Sequence, residues 1–263
     1  SCRMHISNNR NVINSFVQLL IKEIVMLSDL FKRNKITPNI KEIHLGGGTP
    51  SHLSIQEIQE ILKNLENFVS FKNLNEFSME IDPRTVKNED FVEYAKLGVD
   101  RISFGVQDFD PGVQKKINRV QPYELVKKLM DSELRKHFKG VNFDLLYGLP
   151  CQTLETFSNT IELTKKLSPD RITLIKYAHI PNKRKHLNLI KDEDLPKPEL
   201  LPIMFSDSAK KLIEADYSWV GIDHFAKKGD ELAIAKKKGK VYRNFGGETP
   251  GYTKDMISLG PTS

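Results

Sequence analysis

Ile43-His44-Leu45-Gly46-Gly47-Gly48-Thr49-Pro50 reads as the end of a buried strand, a turn of bare backbone and the entry to a helix. The apolar run that starts at Ile40 breaks into three glycines, so successive N–H groups lie uncovered and can meet a carboxylate or a phosphate. One glycine suits a plain strand-to-helix turn; three in a row ask for close approach of a ligand to the backbone. The glycines lack the Gly-x-Gly-x-x-Gly spacing, and no P-loop Gly-Lys-Ser/Thr is present. Beyond the turn, Leu53, Ile55, Ile58, Ile61, Leu62 and Leu65 recur at helical spacing, and Ser54 with Glu57 forms a capping-box signal.

The same strand-then-helix alternation extends in both directions. Val12, Phe16, Leu19, Leu20, Ile24 and Leu27 predict a helix over 12–30, ahead of a strand over 40–45. Strands follow over 77–81, 100–106, 141–147 and 171–177, with helices over 88–97, 111–118, 122–136 and 154–167 between them. Residues 181–202 are rich in proline and charge and read as a long connection. A helix over 203–215, a short strand over 219–222, a brief helix over 230–238 and a strand or turn over 241–245 complete the pattern. Such alternation implies parallel pairing with right-handed crossovers. Nearly every strand carries polar residues at its C-terminal end: the glycines, Glu80, Gln107, Asp144 with Tyr147, His179, then Asp223 and His224. Barrel enzymes place their sites on that face, whereas a doubly wound sheet concentrates its site at one switch point. The expected fold is therefore α/β, a partial TIM-like (β/α) barrel of about six parallel strands. Residues 1–245 form the barrel domain, and 246–263 begin a C-terminal extension.

The 263 residues, 39% of them hydrophobic, suffice for one large core. Charged residues make up 28%, with a net charge of +6 spread along the chain. That permits an anionic partner without specifying one. No aromatic-interleaved basic repeat points to nucleic acid, and no long apolar segment is expected to span a membrane. With Cys2 and Cys151 as its two cysteines, the chain reads as cytoplasmic, with neither a disulfide scaffold nor a metal-binding cysteine spacing.

Longer motifs narrow the reading. They are His44-Leu45-Gly46-Gly47-Gly48-Thr49-Pro50, Glu80-Ile81-Asp82-Pro83-Arg84, Ser103-Phe104-Gly105-Val106-Gln107-Asp108-Phe109 and Asp144-Leu145-Leu146-Tyr147-Gly148-Leu149-Pro150. Tyr177-Ala178-His179-Ile180-Pro181, Asp223-His224-Phe225-Ala226, Asp230-Glu231-Leu232-Ala233 and Arg243-Asn244-Phe245 continue them to near the end of the chain. In these stretches the chain resembles the oxygen-independent coproporphyrinogen III oxidase family of the radical S-adenosylmethionine superfamily. The resemblance implies S-adenosylmethionine and a 4Fe–4S cluster at the top of a partial barrel. It also implies conversion of coproporphyrinogen III to protoporphyrinogen IX by oxidative decarboxylation, with an unidentified electron donor. By the motif match, Gly47, Gly48 and Thr49 would hold the methionine part of the cofactor, and Glu80 the ribose. Gln107 would meet the ribose and Arg119 the carboxylate, Asp144 would line the same pocket, and the Ala178 backbone would contact adenine.

Two departures accompany the resemblance. The family's Cys-x-x-x-Cys-x-x-Cys cluster loop and its strand precede the region that aligns with the first residues, and Cys2 falls on an additional cysteine beyond that triad. The expectation is a segment of a longer enzyme, without metal ligands of its own and inactive when isolated, with an exposed barrel edge. After Asn244-Phe245 the family's Gln-Gly-Tyr-Thr-Thr becomes Gly246-Gly247-Glu248-Thr249-Pro250. A non-catalytic porphyrin or haem carrier, using His44, His179 or His224, is the alternative. A barrel enzyme binding a phosphorylated metabolite at the glycine turn is the second alternative.

Overall fold

The computed structural model describes residues 7–130, 134–182, 185–244, 246–251 and 255–261, so Cys2, Phe245 and the last two residues, Thr262 and Ser263, lie outside the described residues. Strands β1 (Glu42–Leu45), β2 (Glu76–Ile81), β3 (Arg101–Gln107), β4 (Gly140–Tyr147) and β5 (Arg171–Lys176) pair in parallel in chain order. The crossovers run through α2 (Ile55–Leu65), α3 (Asn88–Lys96), then α4 (Pro111–Lys116), α5 (Tyr123–Met130) and α6 (Leu134–His137), and finally α7 (Leu154–Leu167). Helix α1 (Arg10–Arg33) precedes β1, and α8 (Leu200–Glu214) follows β5.

The far end of the sheet departs from a purely parallel order. β6 (Tyr217–Val220) and β7 (His224–Lys227) pair antiparallel, and β7 lies between β5 and β6. Six strands therefore run one way, as expected, but the sixth is separated from the fifth by a reversed strand. The cause is local: the strand expected over 219–222 ends at Val220, because Gly221 turns the chain with φ 62°. α9 (Glu231–Lys237) and a small hairpin of β8 (Tyr242–Asn244) and β9 (Gly247–Thr249) complete the described fold.

The hairpin reveals the curvature. Glu248 Oε1 accepts from the Ile222 N–H at 3.1 Å, next to the β6 edge, while the neighbouring Thr249 Oγ1 lies 3.3 Å from Glu42 Oε1 on β1. Adjacent Cα atoms are about 3.8 Å apart. The two ends of the sheet order therefore come within a hairpin's reach of each other, and the sheet curls into a half-barrel around a lumen.

Side chains alternate across that curved sheet. Phe77, Met79, Ile81, Ile102, Phe104, Val106, Val141, Phe143 and Leu145 point outward and are buried under the helices. Phe104 sits edge-on between Phe91 of α3 and Phe143 of β4, with ring centroids 6.1 Å apart in each pair. Burying one such ring contributes about 2–3 kcal/mol. The opposite face is polar. At the N-terminal end of the strands, Arg101 Nε meets Glu76 Oε2 at 2.8 Å and Arg171 Nε meets Asp230 Oδ1 at 2.8 Å. Arg101 Nη1 also lies 3.3 Å from Asp230 Oδ2, closing a buried quartet that plugs this end.

α1 keeps part of its expected facing, since Ile24 is buried and Phe16 and Leu20 pack on the core. Ile13, Val17, Ile24 and Phe31 are buried, whereas Val12 is 39% and Leu19 67% exposed. α1 is also, by length and composition alone, long and apolar enough to cross a bilayer, which corrects the expectation that no segment is. One stripe of it packs on α2 and the barrel, and a layer helix of this kind meets the same test.

Candidate functional site

The glycine turn is tied to the end of β2. Gly47 takes φ 81°, which costs a glycine nothing, and its N–H donates to Glu80 Oε2 at 3.2 Å. His44, at the penultimate position of β1, places Nε2 3.2 Å from Glu80 Oε1 and Nδ1 2.9 Å from Ser78 Oγ. The His44 and Glu80 side chains remain 50% and 40% exposed, so both face the lumen rather than a dry core. Ser51, in the 3-10 turn after Thr49, accepts from the Asp82 N–H at 3.3 Å and bonds Thr85 at 2.8 Å. Both bonds fix the turn's exit against β2.

Next along the sheet, β3 breaks its register between Gly105 and Gln107, and Gln107 takes a left-handed φ of 68°. That strained conformation is held from behind by Asp108, which is fully buried. Its carboxylate accepts from the Asp110 N–H at 2.6 Å, Thr160 Oγ1 at 2.7 Å and Gln152 Nε2 at 2.5 Å. A Cβ on Gly105 would lie 2.9 Å from Gln107 Nε2 and 3.2 Å from Arg119 Nη2. Both long side chains thus fold back over it.

Arg119 is clamped from three sides: Nη2 to Gly105 O at 2.9 Å, Nε to Gln121 Oε1 at 3.0 Å and Nη1 to Asp82 Oδ2 at 3.1 Å. Burial and the neighbouring Arg84 charge pull its pKa down against the pull of Asp82, yet a guanidinium stays charged in water. Burial would raise the Asp82 carboxyl, but Arg84 and Arg119 more than offset it and hold it below the usual range. Asp144 lies one strand further on, paired in register with Gly105. Burial and then the Glu80 charge raise its pKa, against hydrogen bonds from Ser103 at 2.9 Å and Asn142 at 2.8 Å. The end of the lumen therefore holds the Arg119 cation, the Asp82 carboxylate just beyond β2 and a carboxyl on β4 that is harder to ionise than usual.

Of the residues expected from sequence, Gly47 and Glu80 are directly bonded, and Gln107 and Arg119 share the space over Gly105. Asp144 is close enough to Glu80 to feel its charge. Gly48 and Thr49 lie on the same turn, and Ala178 is exposed on the loop after β5, at the same end of the sheet. Sequence reasoning missed His44, Ser78, Ser103, Asn142 and Thr173 as one lumen lining. The signal was present as polar residues at every second strand position, a period of two that marks a wet face.

A second polar cluster forms where the tail departs from the resemblance. His224 Nδ1 lies 2.7 Å from Asp223 Oδ1 and 3.2 Å from Glu248 Oε2, and Arg243 Nη1 reaches both carboxylates. His224 first, then Arg243, overcome burial and hold the Asp223 carboxyl down at about 2. The three acidic and imidazole groups are spaced as a metal site could be, but the Arg243 charge already sits between the carboxylates. The three histidines of the carrier alternative are all engaged: His44 with Glu80, His224 with Asp223, and His179 with the Tyr177 hydroxyl at 3.3 Å.

A curled parallel sheet with a glycine turn and convergent polar groups at its C-terminal end defines a barrel of the cofactor-binding kind. The family model for the radical SAM superfamily matches residues 14–164, and the chain belongs to that superfamily. Its members use S-adenosylmethionine with a 4Fe–4S cluster. Within it the chain is similar to proteins named oxygen-independent coproporphyrinogen III oxidase. Identity is 38% over 249 residues to that of Helicobacter pylori J99, covering 94% of this chain and 54% of the relative. It is 34% over 259 residues to that of Escherichia coli K12, covering 98% of this chain and 56% of the relative. The solved structure of the Escherichia coli coproporphyrinogen III oxidase (HemN), described as a radical SAM enzyme, superposes with a TM-score of 0.90 at 33% identity. That match covers 99% of this chain and 59% of the other. The chain thus spans little more than half the length of these relatives. The archaeal Methanocaldococcus infernus Elp3 shares the fold alone, at 17% identity and a TM-score of 0.54 over 77% of this chain and 51% of the other.

The two family cofactors fare differently against these residues. The cradle fits S-adenosylmethionine: a glycine backbone at residues 46–48, tied to Glu80 through the Gly47 N–H, an acceptor for hydroxyls at Glu80 and a cation for a carboxylate at Arg119. An iron–sulfur cluster needs several thiolates. Cys151 is the one cysteine among the described residues; it is exposed and lies 4.0 Å from Asp194 Oδ1 on a different loop. The described residues do not fit a cluster.

Proposed function

We propose that this chain is the S-adenosylmethionine-binding part of a cytoplasmic enzyme of anaerobic haem biosynthesis. That enzyme converts coproporphyrinogen III to protoporphyrinogen IX by oxidative decarboxylation of two propionates, with an electron donor still to be identified. The observation that carries the reading is the convergence of Gly47, Glu80, Gln107 and Asp144, from the turn after β1 and from β2, β3 and β4, with Arg119 from the α4–α5 connection. Residues 1–245 form the barrel unit, and 246–263 lead into an extension.

Each residue has a separate task in this reading. The Gly48 amide and Thr49 hold the methionine end of the cofactor, on a turn that the Gly47 N–H ties to Glu80. Arg119 meets its carboxylate, and Asp82 keeps the guanidinium aimed. Glu80 and Gln107 accept from and donate to the ribose hydroxyls, and the Ala178 backbone meets adenine. Asp144, whose pKa burial and the Glu80 charge raise and whose two oxygens accept from Ser103 and Asn142, lines the same pocket. When bound, S-adenosylmethionine supplies the radical that removes hydrogen from the substrate. The residues here bind it and orient it.

The test uses the natural full-length protein under anaerobic conditions with coproporphyrinogen III. Formation of 5′-deoxyadenosine together with carbon dioxide and protoporphyrinogen IX is expected. Failure to consume coproporphyrinogen III, in preparations that bind S-adenosylmethionine, overturns the substrate assignment. Arg119→Ala is expected to weaken cofactor binding about 10- to 100-fold, the loss of a charge-assisted pair.

A further inference from the structure

We propose that His44 is a positioning residue that holds the Glu80 carboxylate for the ribose of the cofactor, and that Gly46 is a glycine to make room for that pair. The inference rests on the cofactor site proposed above and deepens it.

The strand register brings the two groups together. His44 pairs with Ser78 across β1 and β2, so Glu80 is its diagonal neighbour on the lumen face. A long imidazole reaches that diagonal. Ser78 Oγ, 2.9 Å from Nδ1, fixes the ring plane and leaves Nε2 pointing at Glu80 Oε1, 3.2 Å away. The second carboxylate oxygen is held by the Gly47 N–H at 3.2 Å. Each Glu80 oxygen therefore has one protein donor, and the plane of the carboxylate is set before any ligand arrives.

That matters because Glu80 is 40% exposed and has a flexible side chain. Fixing it on binding would cost rotamer entropy, which prior positioning removes. A carboxylate with its plane set can accept from both hydroxyls of a vicinal diol through its remaining lone pairs. Two protonation states serve: neutral imidazole with the proton on Nε2 donates to Glu80 and accepts from Ser78, and the protonated ring donates to both.

Gly46 supplies the independent observation. A Cβ there would overlap His44 Nε2 and lie 2.7 Å from Glu80 Oε1. The first glycine of the turn is thus accounted for by a contact inside the protein, whereas the second takes the left-handed conformation that aims its N–H at Glu80. The groups facing His44 are Glu80 and Glu76 from β2 and Asp144 from β4, all acidic. Burial works to lower the imidazole pKa, but Glu80, by hydrogen bond and charge, and the other two carboxyls reverse it, and the net direction is upward.

The experiment is titration of the chain with S-adenosylmethionine and with S-adenosylhomocysteine, followed by calorimetry. Wild type is compared with His44→Leu, His44→Gln, Ser78→Ala and Glu80→Gln. His44→Leu is expected to weaken both ligands about tenfold, the loss of one positioning hydrogen bond. His44→Gln, which keeps a donor near the Nε2 position, restores affinity to within about threefold of wild type. Ser78→Ala falls between them, and it serves if His44→Leu melts early. In the His44→Ala background Gly46→Ala loses less affinity than it does in wild type, since half of its clash is gone. Wild-type affinity in His44→Leu overturns the inference, and so does a His44→Gln as weak as His44→Leu. If wild type binds neither ligand, the cofactor site itself is wrong and the inference falls with it. If wild type binds and only Glu80→Gln is weak, the site stands and His44 has no part in it.

Discussion

His44 should stay protonated to a higher pH than an ordinary imidazole at about 6.5, because three carboxyls face it and one bonds it. A histidine whose folded-state pKa is raised adds stability that is complete below the unfolded value and is lost as pH rises through the folded value. The His44–Glu80 contribution therefore fades from pH 6.5 upward. An NMR titration of the His44 ring checks this: its midpoint should lie above 6.5 in wild type and drop in Glu80→Gln. Asp144 is also raised, above its ordinary 3.8, but as a carboxyl it has the opposite charge consequence. Its ionisation is easier in the unfolded chain, so it withdraws stability as pH climbs past 3.8 toward its folded value. Asp144→Asn should gain stability relative to wild type as the pH rises from 4 to neutrality. Urea unfolding at the two values measures the difference, and cofactor affinity should fall in the same variant. Gln107 stores backbone strain at φ 68°; Gln107→Gly should gain about 1 kcal/mol and lose ligand affinity, which a paired melt and titration would register. At this scale the sequence named Glu80, Gln107, Arg119 and Asp144 from motif resemblance. It missed His44 as their partner because a lone histidine before a glycine turn carries no register, and only strand pairing sets it across from Ser78.

The turn between β1 and α2 divides its labour among neighbouring residues: Gly46 yields space, Gly47 aims an amide, and Ser54 with Glu57 closes the capping box that starts the helix. The capping box was legible, because it is written in four consecutive residues. The face of α1 was legible only as a period. Apolar residues occur all round this helix, so Val12 and Leu19 satisfy helical spacing as well as the Ile13 and Val17 that pack inward, and tertiary contacts decide between them. β7 was missed for a similar reason: His224-Phe225-Ala226-Lys227 is too short to show a period, and Gly221 was read as part of a strand when it is the turn. Gly221→Ala should therefore be costly, since it adds a Cβ at φ 62° directly against Glu248. A loss of about 1–3 kcal/mol by urea unfolding is expected. At the other end of the strands the Arg101–Glu76–Arg171–Asp230 quartet is largely buried, and removing Arg101 leaves two acids to share Arg171. Arg101→Met should destabilise by about 3–5 kcal/mol in the same measurement while leaving residual folded protein with ordinary cofactor affinity.

Across the whole molecule, the curled sheet separates two jobs by strand end. The buried ion quartet closes the N-terminal end, and the polar groups with the glycine turn open the C-terminal end to a ligand. The alternation of strands and helices made the half-barrel readable from sequence, since parallel pairing with right-handed crossovers leaves few other arrangements. The reversed strand and the hairpin that reaches from Ile222 to Glu42 were not readable, because Glu248 and Thr249 act through contacts with residues far away in the chain. The proposed function requires the C-terminal ends of β1 to β5 to form one cofactor cradle. A 1H–15N NMR titration of the chain with S-adenosylmethionine tests it most directly, because it locates even weak binding. One saturable set of amide shifts centred on residues 46–49, Gln107 and Ala178, and lost in Arg119→Ala, is the predicted result. Absence of shifts at millimolar ligand, or shifts confined to the Asp223–Glu248 cluster, would contradict it.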